Sequence, residues 1–305
     1  MLDYLAYIGL RIFLWSLNIF PLKVRHKLVN ALVRGVIFIL PRYKQIALRN
    51  IELVFPNMSD DERESIFNAS LEAISRFIVD LARLHTIDLK WAKEHVRVSL
   101  EPYEYLNRKF PGKGILIVTG HLGSFELMAR VGALYDHPMS FVAREFKAKK
   151  IDDWWRGIRE LNGNKVIPRT GAFKQVVSEL EAGRDVGLLF DQNVKRNHAV
   201  FVPFFGRFAA TTKSVALAAL RNKSPVMVAS MAHIENDNYQ IYLEACDFTE
   251  LYNDDSRSMD DKIIDITRDL THKFEKMVLK HPAEWFWMHR RWKTTPQGVP
   301  EDFYG

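Results

Sequence analysis

Gly114-Ile115-Leu116-Ile117-Val118-Thr119-Gly120-His121-Leu122-Gly123-Ser124-Phe125-Glu126 is the stretch on which the reading of the chain turns. Its first half is uncharged, rich in β-branched residues and bounded by glycine, the pattern of a short buried strand. Its second half opens the amphipathic segment Phe125-Glu126-Leu127-Met128-Ala129-Arg130-Val131. A titratable imidazole therefore stands where a strand ends and the chain turns. On one continuous helix, residues five apart point about 140° away from each other. His121 and Glu126 can meet only if the histidine lies in the turn and the glutamate in the first helical turn. Gly123 gives the backbone the freedom to bend there. A histidine oriented by a carboxylate is a general base, because the carboxylate fixes the tautomer and stabilises the imidazolium. The plainer reading is a histidine at a helix start, with Glu126 favoured by the helix dipole.

Outward from this stretch, strand and helix patterns alternate. Strands are expected at Ile115–Val118, Met139–Ala143, Val166–Ile167, Val186–Phe190, Val226–Met231 and Ile241–Glu244. Helices are expected at Phe125–Leu134, Asp152–Leu161, Ala172–Ala182, Thr212–Leu220 and Asp260–Leu279. Such alternation predicts an α/β sandwich. Ligands in these sheets sit beyond the carboxyl ends of the strands. His121, Arg144 and Asp191 each stand just past an expected strand, so polar groups distant in sequence are placed to converge. That placement argues against a merely lipid- or nucleic-acid-binding protein.

The 305 residues are 48% hydrophobic and 12% aromatic, ample for a core and unlike a disordered chain. The lone cysteine, Cys246, excludes an intrachain disulfide and lies in a strand-like segment, so it is read as structural. A net charge of +6 suits nucleic acid, anionic lipid or an acidic protein partner. The N-terminus favours lipid. Tyr4 to Phe20 is apolar apart from Arg11, Ser16 and Asn18, and it is rich in aromatics. It is short for a spanning helix and lacks a cleavage signal, so it is expected to be an anchor that dips into or barely crosses the membrane. Lys23, Arg25, His26, Lys27 and Arg34 follow, then the apolar run Val36–Leu40, then Arg42 and Lys44. Positive charge beside apolar segments suits a cytoplasmic leaflet. Ser59 and Glu62 form a capping-box signal for a helix from Asp60 to about His85.

Seven motifs then occur in order: the apolar N-terminus; Arg42…Ala47-Leu48-Arg49-Asn50-Ile51-Glu52-Leu53-Val54-Phe55-Pro56; the His121…Glu126 box; Arg159 within Trp155-Arg156-Gly157-Ile158-Arg159; Ile167-Pro168-Arg169; Asp191-Gln192-Asn193 with Phe201-Val202-Pro203-Phe204-Phe205-Gly206; and His281 through Thr294. With these the chain resembles the late acyltransferases of lipid A biosynthesis, the lauroyl- and myristoyl-transferring enzymes of Gram-negative inner membranes. Phosphatidylinositol mannoside acyltransferases belong to the same family. The resemblance covers nearly the whole chain.

The resemblance implies a glycerolipid-acyltransferase-like mixed sheet flanked by helices, with an N-terminal membrane-associated helix. Residues 1–60 would be the anchor and membrane-proximal helices, and 61–305 the α/β acyltransferase domain. It implies an O-acyltransferase at the cytoplasmic face of a bacterial inner membrane, moving a fatty acyl chain from acyl carrier protein to a hydroxyl of a lipid A precursor. His121 is the general base and Glu126 orients it, with no covalent intermediate. Arg159 binds substrate phosphate or the carrier's phosphopantetheine, although a helix-surface arginine is its ordinary reading. Asp191 holds Arg159 or a sugar hydroxyl, or is a strand-end turn residue. Arg144 and Arg169 are weaker members of the same phosphate cluster. Backbone amides near Gly123 are candidates for the oxyanion site. Phe201, Phe204 and Phe205 line an acyl channel or pack in the core. Trp285, Trp287 and Trp292, interleaved with His289, Arg290, Arg291 and Lys293, face substrate phosphate or the membrane, or form a solvated basic face. The partners implied are acyl carrier protein, a lipid acceptor and the membrane surface, and not nucleic acid. No metal or bound cofactor is implied, the acyl thioester being a co-substrate. Asn193 stands where the family pattern often carries a second acid, which leaves other acceptors open: a lysophospholipid, a mannolipid or an aryl-polyene-type product.

Overall fold

In the computed structural model, residues 2–301, 303 and 304 are described. The chain opens with helices α1 (Leu2–Ile19), α2 (Leu22–Ile39), α3 (Arg42–Val54) and α4 (Asp60–Arg83). The α/β region follows as α5 (Leu89–His95), β1 (Val96–Val98), α6 (Glu101–Lys109), β2 (Leu116–Thr119), α7 (Phe125–Leu134), β3 (Ser140–Ala143), α8 (Lys149–Arg159), β4 (Lys165–Pro168), α9 (Ala172–Glu181) and β5 (Val186–Leu189). The hairpin β6 (Ala199–Phe204) and β7 (Arg207–Thr212) comes next. It leads to α10 (Ser214–Asn222), β8 (Val226–Glu235), β9 (Asn238–Cys246), α11 (Thr249–Asn253) and α12 (Met259–Lys280).

The described strands build a mixed sheet in the order β1-β9-β8-β2-β5-β3-β4, with β6 and β7 paired apart from it. β8, β2, β5, β3 and β4 run parallel. The antiparallel β8–β9 pair turns β9 and its parallel neighbour β1 the other way. Residues alternate between the faces of a strand, and here both faces are covered. Leu116 and Val118 of β2 enter a core with α9, α10 and α12, while Ile115 and Ile117 enter another with α6, α7 and α8. This double burial explains why β2 reads as an unbroken apolar run rather than an alternating one.

The expected strands and helices are present, with shifted ends. The Ser59–Glu62 capping box is formed at the start of α4. Two regions depart from the sequence reading. The Phe201–Gly206 segment, for which no strand is expected, is one strand and the turn of a hairpin: Phe201 pairs with Ala210 and Phe204 with Arg207, and the turn uses positive φ at Phe205 and Gly206. Residues 89–109 add α5, β1 and α6 at the sheet's edge. These elements are short, and β1 has only three residues, so their periodicity gives no clear signal.

Among the described residues, no helix is long and apolar enough to cross a membrane. α1 lies against α4 and α8: Leu17 is buried, Asn18 donates to the Ala82 carbonyl (3.2 Å), and Tyr7 packs edge-on to Trp154. Arg25, read as a membrane-facing cation, is instead held at the end of α1. It donates to the carbonyls of Asn18 and Phe20.

Candidate active site

β2 and β5 are neighbours, paired so that Thr119 lies opposite Leu189. Both chains leave the sheet at the same end, and the residues just beyond them meet. The turn after β2 is fixed from outside. Gly123 N–H donates to the Glu284 carbonyl (2.8 Å), Ser124 N–H to the Met231 carbonyl (3.1 Å), and Phe286 N–H to the His121 carbonyl (3.0 Å). Gly123 has φ +60°, and a Cβ there would stand 1.8 Å from the Met231 oxygen. A Cβ on Gly120 would come 2.8 Å from the Asp191 carboxyl carbon. Glycine at both places lets the turn close onto β8 and Asp191.

His121 is part-exposed, with 29% of its side chain open, and Asp191 is buried. The imidazole Nδ1 lies 2.8 Å from Asp191 Oδ1. The backbone N–H of His121 and the indole Nε1–H of Trp285 both donate to Oδ2, each at 2.9 Å. Burial raises the Asp191 carboxyl, but the His121 charge and these donors outweigh it and hold it down to about 2. An ionised carboxylate only accepts, so Nδ1 carries the ring proton. Burial also opposes the imidazolium, and the Asp191 carboxylate overcomes it, so the His121 pKa lies above its ordinary value. In the neutral ring Nε2 bears the lone pair. The Gln192 amide nitrogen lies 3.2 Å from it.

This geometry corrects the assignment of the orienting group. The carboxylate that touches the His121 ring is Asp191. Glu126, in the first turn of α7, instead takes a two-point ion pair from Arg159 in the last turn of α8. Arg159 Nε lies 3.0 Å from Glu126 Oε2, and Nη2 bonds Oε1. Glu126 acts on His121 only through its charge, as the weakest of the influences that raise its pKa. Asp191 holds neither Arg159 nor a free hydroxyl position. Sequence reasoning found every member of these two pairs but joined them wrongly.

Arg144 and Arg169 follow β3 and β4, whose ends pair Ala143 with Pro168. Both side chains are exposed, and their strands stand second and third from β2 in the sheet. The amides near Gly123 are not free donors: those of His121, Gly123 and Ser124 are committed to Asp191, Glu284 and Met231. The first-turn amides of α7 have no side-chain cap, because the Ser124 hydroxyl donates to Asp80 Oδ2 instead.

The tryptophans of the His281–Thr294 segment and Arg291 face the core, while Arg290 and Lys293 stay at the surface. Trp285, Trp287, Arg291 and Trp292 are buried. Arg291 donates to the Ala210 carbonyl (2.9 Å) and to the Thr211 hydroxyl, both within β7 of the hairpin. His289 is half-buried and pushed down to about 4, mainly by desolvation, so it is neutral and its Nε2 accepts the Asn193 N–H (2.7 Å). Trp285 and His289 thus support the Asp191 loop. The motif order flagged them, but nothing local told an inward from an outward face.

The family model described as bacterial lipid A biosynthesis acyltransferase matches residues 1–294. The chain belongs to this family. It is similar to a lipid A biosynthesis acyltransferase of Haemophilus influenzae, 27% identical over 273 residues, covering 86% of this chain and 81% of that protein. It is 26% identical to a lipid A biosynthesis lauroyltransferase of Escherichia coli, covering 98% of this chain and 95% of that one. A phosphatidylinositol mannoside acyltransferase of Mycolicibacterium smegmatis is 23% identical, over 80% of this chain and 78% of that protein.

As a member of the lipid A acyltransferase family, the protein is an acyltransferase. Two residues take on meaning in that light. Asn193 uses both faces of its amide, donating to Thr294 Oγ1 (3.1 Å) and accepting the Thr294 N–H (3.0 Å). It ties the Asp191 loop to the C-terminal segment, a task that suits an amide better than a carboxylate. Cys246 is buried on β9, and burial pushes its thiol up to about 12, too high for a nucleophile at neutral pH.

Proposed function

We propose that this acyltransferase moves a fatty acyl chain from an acyl carrier protein thioester to a hydroxyl of a lipid A precursor, with His121 as general base. The observation that carries the reading is the state of the imidazole. Nδ1–H is held by a buried, ionised carboxylate, and Nε2 offers its lone pair at a part-exposed edge. A hydroxyl bound where the Gln192 amide now lies would give its proton to Nε2 as its oxygen bonds to the thioester carbon. The oxyanion would then collapse, the C–S bond break, and the imidazolium return the proton to the departing thiolate. The products are an ester and a free thiol, with no acyl-enzyme. The uncapped first-turn amides of α7 are suitable oxyanion donors. The Glu126–Arg159 pair sets a guanidinium beside the base, with Nη1 left to grip a phosphate of donor or acceptor. Arg144 and Arg169 are proposed as outlying contacts to the same charge, and the basic surface suits an acidic carrier.

The reading includes attachment to the cytoplasmic face of a bacterial inner membrane. Val24, Leu28, Leu32 and Val36 of α2 recur every four residues and are all exposed, while Val29 and Ile37 on the other side are buried. A helix apolar on its outer as well as its inner face has a use for lipid. Trp15, Phe38 and Ile39 extend the exposed surface.

A different glycolipid acceptor is the second reading, favoured by Asn193 and by the mannolipid-acylating relative. Replacing His121 with Ala should lower transfer from acyl carrier protein to a lipid A precursor by about a thousandfold. A loss below about tenfold would overturn the base assignment. Mass spectrometry of lipids from cells with and without the protein separates the acceptors. Unchanged lipid A with another glycolipid altered selects the second reading.

A further inference from the structure

One face of α3 has no part in the chemistry above. Arg42, Gln45, Ile46 and Arg49, spaced at helical intervals, form one wall of a cleft of about 410 Å³. Arg290, Phe303 and Tyr304 form the other wall. The volume falls within the range of about 300–1,000 Å³ of small-molecule sites. The lining carries three guanidinium groups. Glu52 takes Arg49 Nη1 at 2.8 Å, a half-exposed surface pair. Arg42 meets the Tyr43 hydroxyl at 3.4 Å and lies over its ring, and Arg290 lies over the Tyr304 ring at 5.8 Å. Among the described residues neither of these two has a carboxylate partner. Two guanidinium forks that face one cleft without a described carboxylate partner make a recognition site for phosphate oxygens.

The cleft is rigidly built. Asn50, fully buried and next to Arg49, donates to the carbonyls of Trp287 (2.7 Å) and His289 (2.8 Å). It also accepts the Tyr304 hydroxyl at 2.8 Å, and that hydroxyl in turn accepts the Trp292 N–H. Arg290 follows His289, which holds Asn193. The cleft therefore shares its frame with the His121 site. Its mouth adjoins the exposed apolar end of α2, since Phe38, Ile39 and Leu40 lead directly into Arg42.

We propose that this cleft is a phosphate-binding site, filled by the phosphate of a lipid headgroup at the bilayer surface or by a soluble phosphate ester. The lipid source rests on the membrane reading above; the phosphate chemistry does not.

The test uses the full chain, the double variant Arg42→Gln/Arg290→Gln, and a charge-matched control, Lys90→Gln/Arg97→Gln, altered at exposed positions elsewhere. Pyrophosphate binding is measured by calorimetry. Flotation is measured with phosphatidylcholine vesicles carrying either phosphatidic acid or phosphatidylserine. Each cleft arginine removed should weaken pyrophosphate binding about fivefold, and the control should bind as wild type does. Loss of the preference for phosphatidic acid over phosphatidylserine in the cleft variant identifies a lipid headgroup as the source. Loss of pyrophosphate binding with flotation unchanged identifies a soluble ester. Wild-type protein that fails to float at all sinks the membrane reading and leaves the calorimetric arm standing. The proposal is overturned if cleft and control variants behave alike, or if wild type binds no pyrophosphate and floats equally with both lipids. Both arginines are exposed, so an unchanged melting curve shows that the variant is folded.

Discussion

The orientation of one imidazole organises the site. His121 titrates against burial and against Asp191, and the carboxylate wins. Its raised pKa places the rising limb of rate against pH above about 6.5, the ordinary imidazole value, because only the neutral ring can accept a proton. Asp191→Asn leaves burial opposed only by the weaker charge of Glu126. The limb should move to lower pH, and kcat should fall by about three to four orders of magnitude as the tautomer is lost. A pH–rate profile of the variant checks both, and a limb that stays in place would remove Asp191 from the role. The pair also sets a stability window. Asp191 is held down to about 2, so its contribution is complete above the ordinary carboxylate value and lost as pH falls through about 2. His121 has a raised pKa, so its contribution is present in acid and lost as pH rises through the folded value.

At the level of elements, the turn between β2 and α7 depends on glycine where backbone meets backbone. Gly123→Ala places a methyl on the Met231 carbonyl at positive φ and should cost at least about 2 kcal/mol, read from thermal unfolding, with activity falling as His121 shifts. Gly157 is the contrast. It lies exposed in α8 with nothing within 4 Å of an added Cβ, so Gly157→Ala should be neutral or stabilising by up to about 1 kcal/mol. The turn is also braced from beneath. Buried Asp80 of α4 takes the Ser124 hydroxyl, the Tyr239 hydroxyl (2.9 Å) and Arg83 (2.9 Å), and Arg83 also pairs with Asp237. The strand and helix periods of this region are plain in the sequence. What they cannot show is that Ser124, a natural N-cap, turns its hydroxyl to Asp80 and leaves the helix amides open. That choice is made by a residue 44 positions away.

For the whole molecule, the apolar outer face of α1 and α2 predicts attachment to vesicles. Phe38 and Ile39 are 88% and 74% exposed, so Phe38→Ser/Ile39→Ser should leave the melting temperature unchanged and reduce flotation on anionic vesicles by about tenfold or more. Equal flotation of wild type and variant would remove this face from the contact. The sequence alone determined the α/β alternation, the capped start of α4, and a histidine and an aspartate at strand ends, because periodicity, caps and strand termini are local properties. The family motifs marked His121, Glu126, Arg159 and Asp191, which the fold brings together as two ion pairs. Only the tertiary structure decided which carboxylate meets which cation. β5 lies beside β2 and brings Asp191 to His121, whereas α8 docks on α7 and claims Glu126 for Arg159. It also turned the tryptophan-rich C-terminal segment inward, since a stretch mixing aromatic and basic residues has no preferred face until the hairpin and Asp191 supply partners for its Arg291 and Trp285. Spacing along the chain limits which groups can meet, but the order of strands in the sheet decides which of them do.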